Sequence, residues 1–205
     1  MVDIRKITTE DKNIIPIIAE IHVNTFKGFF LTFLGKGFLK LFYTSFVRFS
    51  ESDVAVAFDD NVPVGFIAYS ENMSGLYKYM IKRKLIPFIW YSFLAFIRRP
   101  TVFVRLFRAL LKPVETKRED NYVELASIGV IPEKKGCGIG SALINFLKSE
   151  VDFTAYKYIS LETDAVNNDA VNEFYIKNGF GLSKEFTTRE GRTMCEYRYY
   201  GNPCS

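Results

Sequence analysis

Apolar residues at Val2, Ile4 and Ile7 form an imperfect two-residue alternation, which predicts a strand ended by Thr8 and Thr9. The period then lengthens. Ile14, Ile15, Ile18, Ile21 and His22 recur at helical spacing, with Asp11 placed to cap the helix and Pro16 tolerated in its first turn. Thr25 to Tyr43 reads as a loop and second helix, with more aromatic surface than one helix face needs. Two strand-like runs, 54–58 and 62–69, flank Asp59-Asp60-Asn61, a composition suited to a tight hairpin. Tyr122 to Val130 is a further strand, stopped by Pro132, and a helix runs from Ser141 to Leu147 after a glycine-rich turn. A short strand at 158–162, a helix carrying Ala170, Val171, Phe174 and Tyr175, and a last strand at 194–200 complete the pattern. That order predicts an α/β (α+β) layer built on one mixed sheet.

Residues 73–119 interrupt this pattern and form a helical, apolar and basic insertion within a single 1–205 domain. Leu85 to Ile97 holds thirteen residues of which only Ser92 is strongly polar, bracketed by Lys82-Arg83-Lys84 and Arg98-Arg99. The run is too short to cross a bilayer, which takes about 20 apolar residues. After Pro100, Val102, Phe103, Leu106, Phe107, Leu110 and Leu111 trace a helical stripe, with Arg105, Arg108 and Lys112 able to turn outward. Three readings follow: helices that cover the sheet, a homodimer contact, or a basic amphipathic surface lying on an anionic membrane.

Composition narrows the classes. With 48% apolar and 24% charged residues over 205 positions, the chain can bury a full core and is far from a disordered composition. A net charge of +4 is too small to imply a nucleic-acid partner. Cys137, Cys195 and Cys204 are widely spaced and contain no CxxC, which argues against a disulfide scaffold and against a zinc site; no metal is expected. The charged N-terminal dozen does not resemble a secretion signal, so a reducing cytoplasm is the expected setting.

The sharpest local signal is the stretch from Ile128 to Leu147. A strand ends near Val130, charged residues including Lys134 and Lys135 follow, and Gly136, Gly138 and Gly140 precede a helix with Leu143, Ile144 and Leu147 on its apolar stripe. Glycines permit close backbone approach, and first-turn amides point into the loop, so the arrangement suits a phosphate or pyrophosphate. A P-loop is excluded because Ser141-Ala142 follows Gly140 with no lysine. A dinucleotide fingerprint fits poorly because the glycines fall every second residue and late in the chain.

Lys135-Gly-Cys-Gly138-Ile-Gly140 resembles the acyl-CoA signature of the GCN5-related N-acetyltransferases, the GNAT superfamily, with Lys135 in place of the usual Gln or Arg. A second block, Leu161 to Phe180, is similar to the family's second cofactor-facing strand, loop and helix with its closing aromatic and Gly-Phe pattern. The likeness is close over 122–200, loose over 2–69, and leaves the insertion largely outside. It implies a mostly antiparallel central sheet flanked by helices, and acetyl-CoA held at the turn by Lys135, Gly136, Cys137, Gly138, Ile139, Gly140 and Ser141. It also implies that the backbone near Ile128 and Val130 pairs with the pantetheine arm, that Asn168 makes a polar contact to the cofactor, and that Tyr175 stands near the thioester sulfur.

Direct acetyl transfer needs a neutral amine and a way to quiet the departing thiolate. A phenol at Tyr175 can donate a proton or a strong hydrogen bond to that sulfur, or it is an aromatic core residue beside Phe174 and Phe180. Glu124, one residue before Leu125, can face the acceptor side and take the ammonium proton directly or through water. His22, the single histidine, reads better as a polar residue packed at the edge of its helix than as a base. Cys137 has nothing arranged beside it to make it a nucleophile. The expected activity is N-acetylation of a primary amine on a small molecule, such as an amino sugar. A protein or peptide N-terminus is the alternative acceptor, and a non-catalytic acyl-CoA-binding module with a partner- or membrane-contacting insertion is the alternative function.

Overall fold

Asp60 and Asn61 both adopt positive φ, 49° and 63°. This two-residue left-handed turn matches the twist of antiparallel strands and closes the hairpin of β2 (Ser52–Asp59) and β3 (Val62–Ser70). In this computed structural model, which describes residues 2–27, 29–98, 100, 121–188 and 191–201, that hairpin belongs to a seven-stranded sheet whose middle strand is the next one in the chain. The remaining strands are β1 (Val2–Lys6), β4 (Tyr122–Val130), β5 (Tyr158–Asp164), β6 (Gly181–Thr187) and β7 (Thr193–Tyr199). They lie in the order β1-β2-β3-β4-β5-β7-β6, antiparallel at every junction except β4 with β5.

Helices cover both faces. On one side, α1 (Ile14–Thr25), the short α2 (Phe30–Leu34), α3 (Lys36–Arg48) and the start of α4 (Met73–Arg98) enclose Ile18, Ile21, Leu39, Tyr43, Phe46, Phe66 and Leu76. On the other, α5 (Ile139–Glu150) and α6 (Asp169–Lys177) pack Leu143, Ile144, Leu147, Tyr175 and Phe180 onto Val123, Leu125, Ile159, Leu161 and Tyr197. The expected mixed, mostly antiparallel sheet flanked by helices is the observed one.

Two local expectations change. Helix α1 starts at Ile14 behind Asn13, whose side chain makes no capping bond; Asp11 instead accepts the Thr8 amide (2.9 Å) and the Arg5 guanidinium (2.8 Å), and so organises the loop before the helix. Strand β6 has no counterpart in the sequence reading, because it lies at the sheet edge with almost every side chain exposed and carries no apolar alternation. The insertion begins with the 26-residue α4, which runs through Pro87. The stripe expected over 102–111 lies outside the described residues. Among the described residues no helix is long and apolar enough to cross a membrane.

Candidate active site

The parallel junction holds the sheet together over only three positions: Tyr122, Val123 and Glu124 of β4 face Tyr158, Ile159 and Ser160 of β5. Beyond them both strands continue, β4 to Val130 and β5 to Asp164, without pairing to each other. The strands therefore open a wedge whose walls carry backbone groups with no strand partner on that side. On its other edge β4 is bulged: Ser127 pairs with Ala68 but Leu125 with Tyr69, leaving Ala126 extra and exposed. The extra residue shifts the pleat by one, which brings Ser127 and Gly129 to the α1–α3 face while Ile128 and Val130 pack toward α5. Of the backbone groups expected along a pantetheine arm, the Val130 carbonyl is already taken, accepting the Thr25 hydroxyl at 3.1 Å.

At the mouth of this wedge the chain leaves β4 through a 3-10 turn (Pro132–Lys134) and enters α5. Gly136 and Gly138 have φ of 83° and 79°, and Gly138 is the N-cap; a side chain at either would be strained, although the space beside both is open. The amides of Gly136, Gly138, Ile139, Gly140 and Ser141 have no acceptor among the described residues, and the cap offers no side-chain bond. These amides, gathered at the positive end of a 12-residue helix, form a cradle that fits a pyrophosphate. Lys135 and Cys137 are exposed on the same turn. Lys134 is committed elsewhere: its ammonium lies 2.7 Å from Asp59 and, with the Ile131 amide on the Val64 carbonyl (2.9 Å), ties the turn to the β2–β3 hairpin.

Across the wedge, Asn168 is the N-cap residue of α6. Its Nδ2 donates to Thr163 Oγ1 and to the Asp164 carbonyl, both at 2.9 Å, so this side chain fixes the loop that leaves β5. Tyr175 follows two turns later, buried against Phe174, Phe180 and Tyr197 with ring centroids 5.2, 5.9 and 6.0 Å away. Burial pushes its hydroxyl well above the ordinary tyrosine range, which keeps the phenol protonated as a proton donor must be. The edges of the Tyr175 ring are core, and its hydroxyl makes no hydrogen bond to the described residues.

Glu124 faces away from α5, since its neighbours Val123 and Leu125 belong to that side's core. It occupies the last paired position before the wedge opens, and the Tyr122 hydroxyl donates to its Oε2 at 3.4 Å. Tyr77 of α4 projects onto the same face. It is 43% exposed, and desolvation by its surroundings, then the carboxylates of Glu124 and Glu162, push its hydroxyl up to about 12. Beneath this rim Tyr158 stacks on Tyr122 (5.5 Å, 12°), and the Arg198 guanidinium covers the Tyr158 ring at 4.3 Å while its Nε donates to Glu196 at 2.7 Å.

One constellation has no forerunner in the sequence reading. His22 of α1, 3% exposed, shares a 2.6 Å hydrogen bond between Nδ1 and the Tyr43 hydroxyl of α3, and that hydroxyl lies 3.2 Å from Ser127 Oγ on β4. Burial lowers the imidazole to about 4, so it is neutral, and its Nε2 has no partner among the described residues. His22 is indeed a packed polar residue, but it is packed into the protein's centre. A buried polar chain thereby reaches from α1 to the residue that follows the β4 bulge. Among the described residues no group of three or more His, Cys, Asp and Glu side chains could hold a metal ion.

Comparisons with known proteins place this geometry. The family model described as "Acetyltransferase (GNAT) family" matches residues 22–180. No curated protein sequence matches the chain. Among solved structures, an aminoglycoside 6'-acetyltransferase type Ii superposes with a TM-score of 0.64 at 15% identity, covering 99% of each chain. The ribosomal-protein-S18-alanine N-acetyltransferase of Escherichia coli gives 0.59 at 14% identity, over 100% of this chain and 97% of the other. Arabidopsis thaliana NAA60, solved in complex with acetyl-CoA, gives 0.59 at 16% identity, over 99% and 100%.

Proposed function

Because the chain belongs to the GNAT acetyltransferase family, we propose that it moves an acetyl group from acetyl-CoA directly to a primary amine on a small molecule, an amino sugar being the best fit. At identities of 14–16% the structural relatives share the fold alone, and they include enzymes named for an aminoglycoside and for a ribosomal protein. The acceptor class therefore rests on the face of this chain that an acceptor would meet. One observation carries it: the partly exposed Tyr77 ring lies within electrostatic reach of the carboxylates of Glu124 and Glu162. A tyrosine face packs against the C–H surface of a sugar ring, and paired carboxylates attract an ammonium.

Acetyl-CoA supplies the acyl group as a thioester, and the amide cradle of residues 136–141 fits its pyrophosphate. The remaining work falls to the chain. Glu124, at the closed end of the wedge on the acceptor face, takes the proton that makes the amine nucleophilic, and Tyr175, held protonated on the opposite face, gives its proton or a strong hydrogen bond to the leaving sulfur. Residue Asn168 contributes by holding the β5–α6 loop in place.

Thiol release from acetyl-CoA in the presence of amino sugars, polyamines and N-terminal peptides tests the reading. Amino sugars should turn over, and Tyr175→Phe should lower kcat by roughly tenfold or more, the scale of general-acid effects, with calorimetric affinity for acetyl-CoA unchanged. Unchanged turnover in that variant would remove Tyr175 from the mechanism, and turnover of peptides alone would replace the acceptor class.

A further inference from the structure

Helix α4 buries one side only. Leu76 and Met80 enter the core, Phe88 meets Phe38 of α3 with centroids 4.8 Å apart, and Tyr91 lies on Gly37. At about 100° per residue these four positions fall on one arc of the helix. The opposite arc, about 180° wide by the same count, presents Ile81, Ile86, Ile89, Trp90, Phe93 and Ile97, each between 50% and 81% exposed. Large apolar side chains this exposed and this contiguous mark an interaction surface. Lys78 and Lys82 lie on the same arc toward the N-terminal end, Arg83 lies at its border, and all three are exposed. From Met73 to Arg98 there is no Asp or Glu.

We infer that this face of α4 docks flat on a lipid bilayer surface that carries anionic headgroups. The charges decide the occupant. A second copy of the chain related by a two-fold axis would bring an identical acid-free helix against Lys78, Lys82 and Arg83, covering the apolar arc but giving the cations no carboxylate on the facing helix. A headgroup layer neutralises the cations while the acyl boundary takes the isoleucines and aromatics, with the lysine stems lying along the apolar surface. The inference stands on exposure and charge and does not depend on the acceptor's identity.

Trp90 is the single tryptophan of the chain and lies within the proposed contact, so its fluorescence reads the event directly. Titration with phosphatidylcholine–phosphatidylglycerol vesicles should shift its emission to the blue, and phospholipids brominated on their acyl chains should quench it. Added salt and pure phosphatidylcholine should both weaken retention in vesicle co-sedimentation. Lys82→Ala should lower retention roughly fivefold, the effect of one cation at an anionic surface. Ile86→Glu, at the most exposed position, should lower it by more than tenfold on the scale of buried apolar area, with an unchanged circular dichroism spectrum and urea midpoint. Absence of quenching by brominated lipid would overturn the proposal. So would retention indifferent to salt and headgroup charge. A lipid-free dimer in the ultracentrifuge that Ile86→Glu dissociates would assign the face to a second copy instead.

Discussion

Replacing Tyr43 with Phe deletes one oxygen and tests the chain that links α1 to β4. The hydroxyl it removes is shared with His22 Nδ1 at 2.6 Å and Ser127 Oγ at 3.2 Å. The ring itself stays, packed edge-on to Phe66 (5.1 Å) and Phe42 (5.3 Å), so no cavity opens. Ser127 is half-buried and can bond water in exchange. His22 cannot: it is 3% exposed, its Nε2 already lacks a partner among the described residues, and the substitution would leave both ring nitrogens unsatisfied. Two hydrogen bonds at a net of about 1 kcal/mol each, with about 1 kcal/mol more for a newly orphaned buried nitrogen, give a loss of about 2–3 kcal/mol. For a domain of this size that is roughly 4–12 °C in Tm. Urea unfolding near neutral pH measures it, together with His22→Leu and the double variant. Because the two side chains share one interaction, the double variant should be less destabilised than the sum by about 1–2 kcal/mol. A loss below about 0.5 kcal/mol for Tyr43→Phe, or strict additivity, would refute the argument.

Two further outcomes follow. His22 ordinarily titrates near 6.5 and is held at about 4 by burial, so the unfolded chain binds the extra proton first; stability should be constant above pH 6.5 and fall by up to about 3 kcal/mol as pH drops to 4. Urea midpoints across that range should be flatter in His22→Gln, and parallel curves for the two proteins would show that His22 does not titrate as described. Gly37→Ala would push a methyl group into the Tyr91 ring and lift α4 from α3, at about 1–3 kcal/mol. Adding Tyr91→Ala should recover part of that loss in the same unfolding assay, whereas a fully additive double variant would show that the two positions do not meet.

Local chemistry made much of this molecule legible in advance. Residues 122–130 form a strand over the expected span, because apolar positions alternate there and Pro132 stops the run. Asp60-Asn61 turns where its composition demands, and the glycines ahead of α5 leave the amides bare as their spacing implies. Glu124 faces away from Val123 and Leu125, as strand alternation requires. What escaped depends on tertiary neighbours. Edge strand β6 buries too little to show a period. The extra residue at Ala126 cannot be read from its type, yet it decides that Ser127 turns toward Tyr43. His22 and Tyr43 are 21 positions apart on separate helices, and neither spacing nor composition signals a pair. Tyr77 belongs to a helix whose sequence advertises only apolar and basic character, so its place within electrostatic reach of Glu124 and Glu162 needed the fold.

The three-residue seam between β4 and β5 gives the sheet the mechanics of a book bound at one end. Strands β1 to β4 form one antiparallel leaf and β5, β7 and β6 the other, and Tyr122–Glu124 against Tyr158–Ser160 is the binding. A molecule that lodges between the leaves and bonds to both becomes a second line of stitching. Its departure would release the leaves to breathe about the seam, so that occupancy of the wedge and the stiffness of the C-terminal leaf rise and fall together.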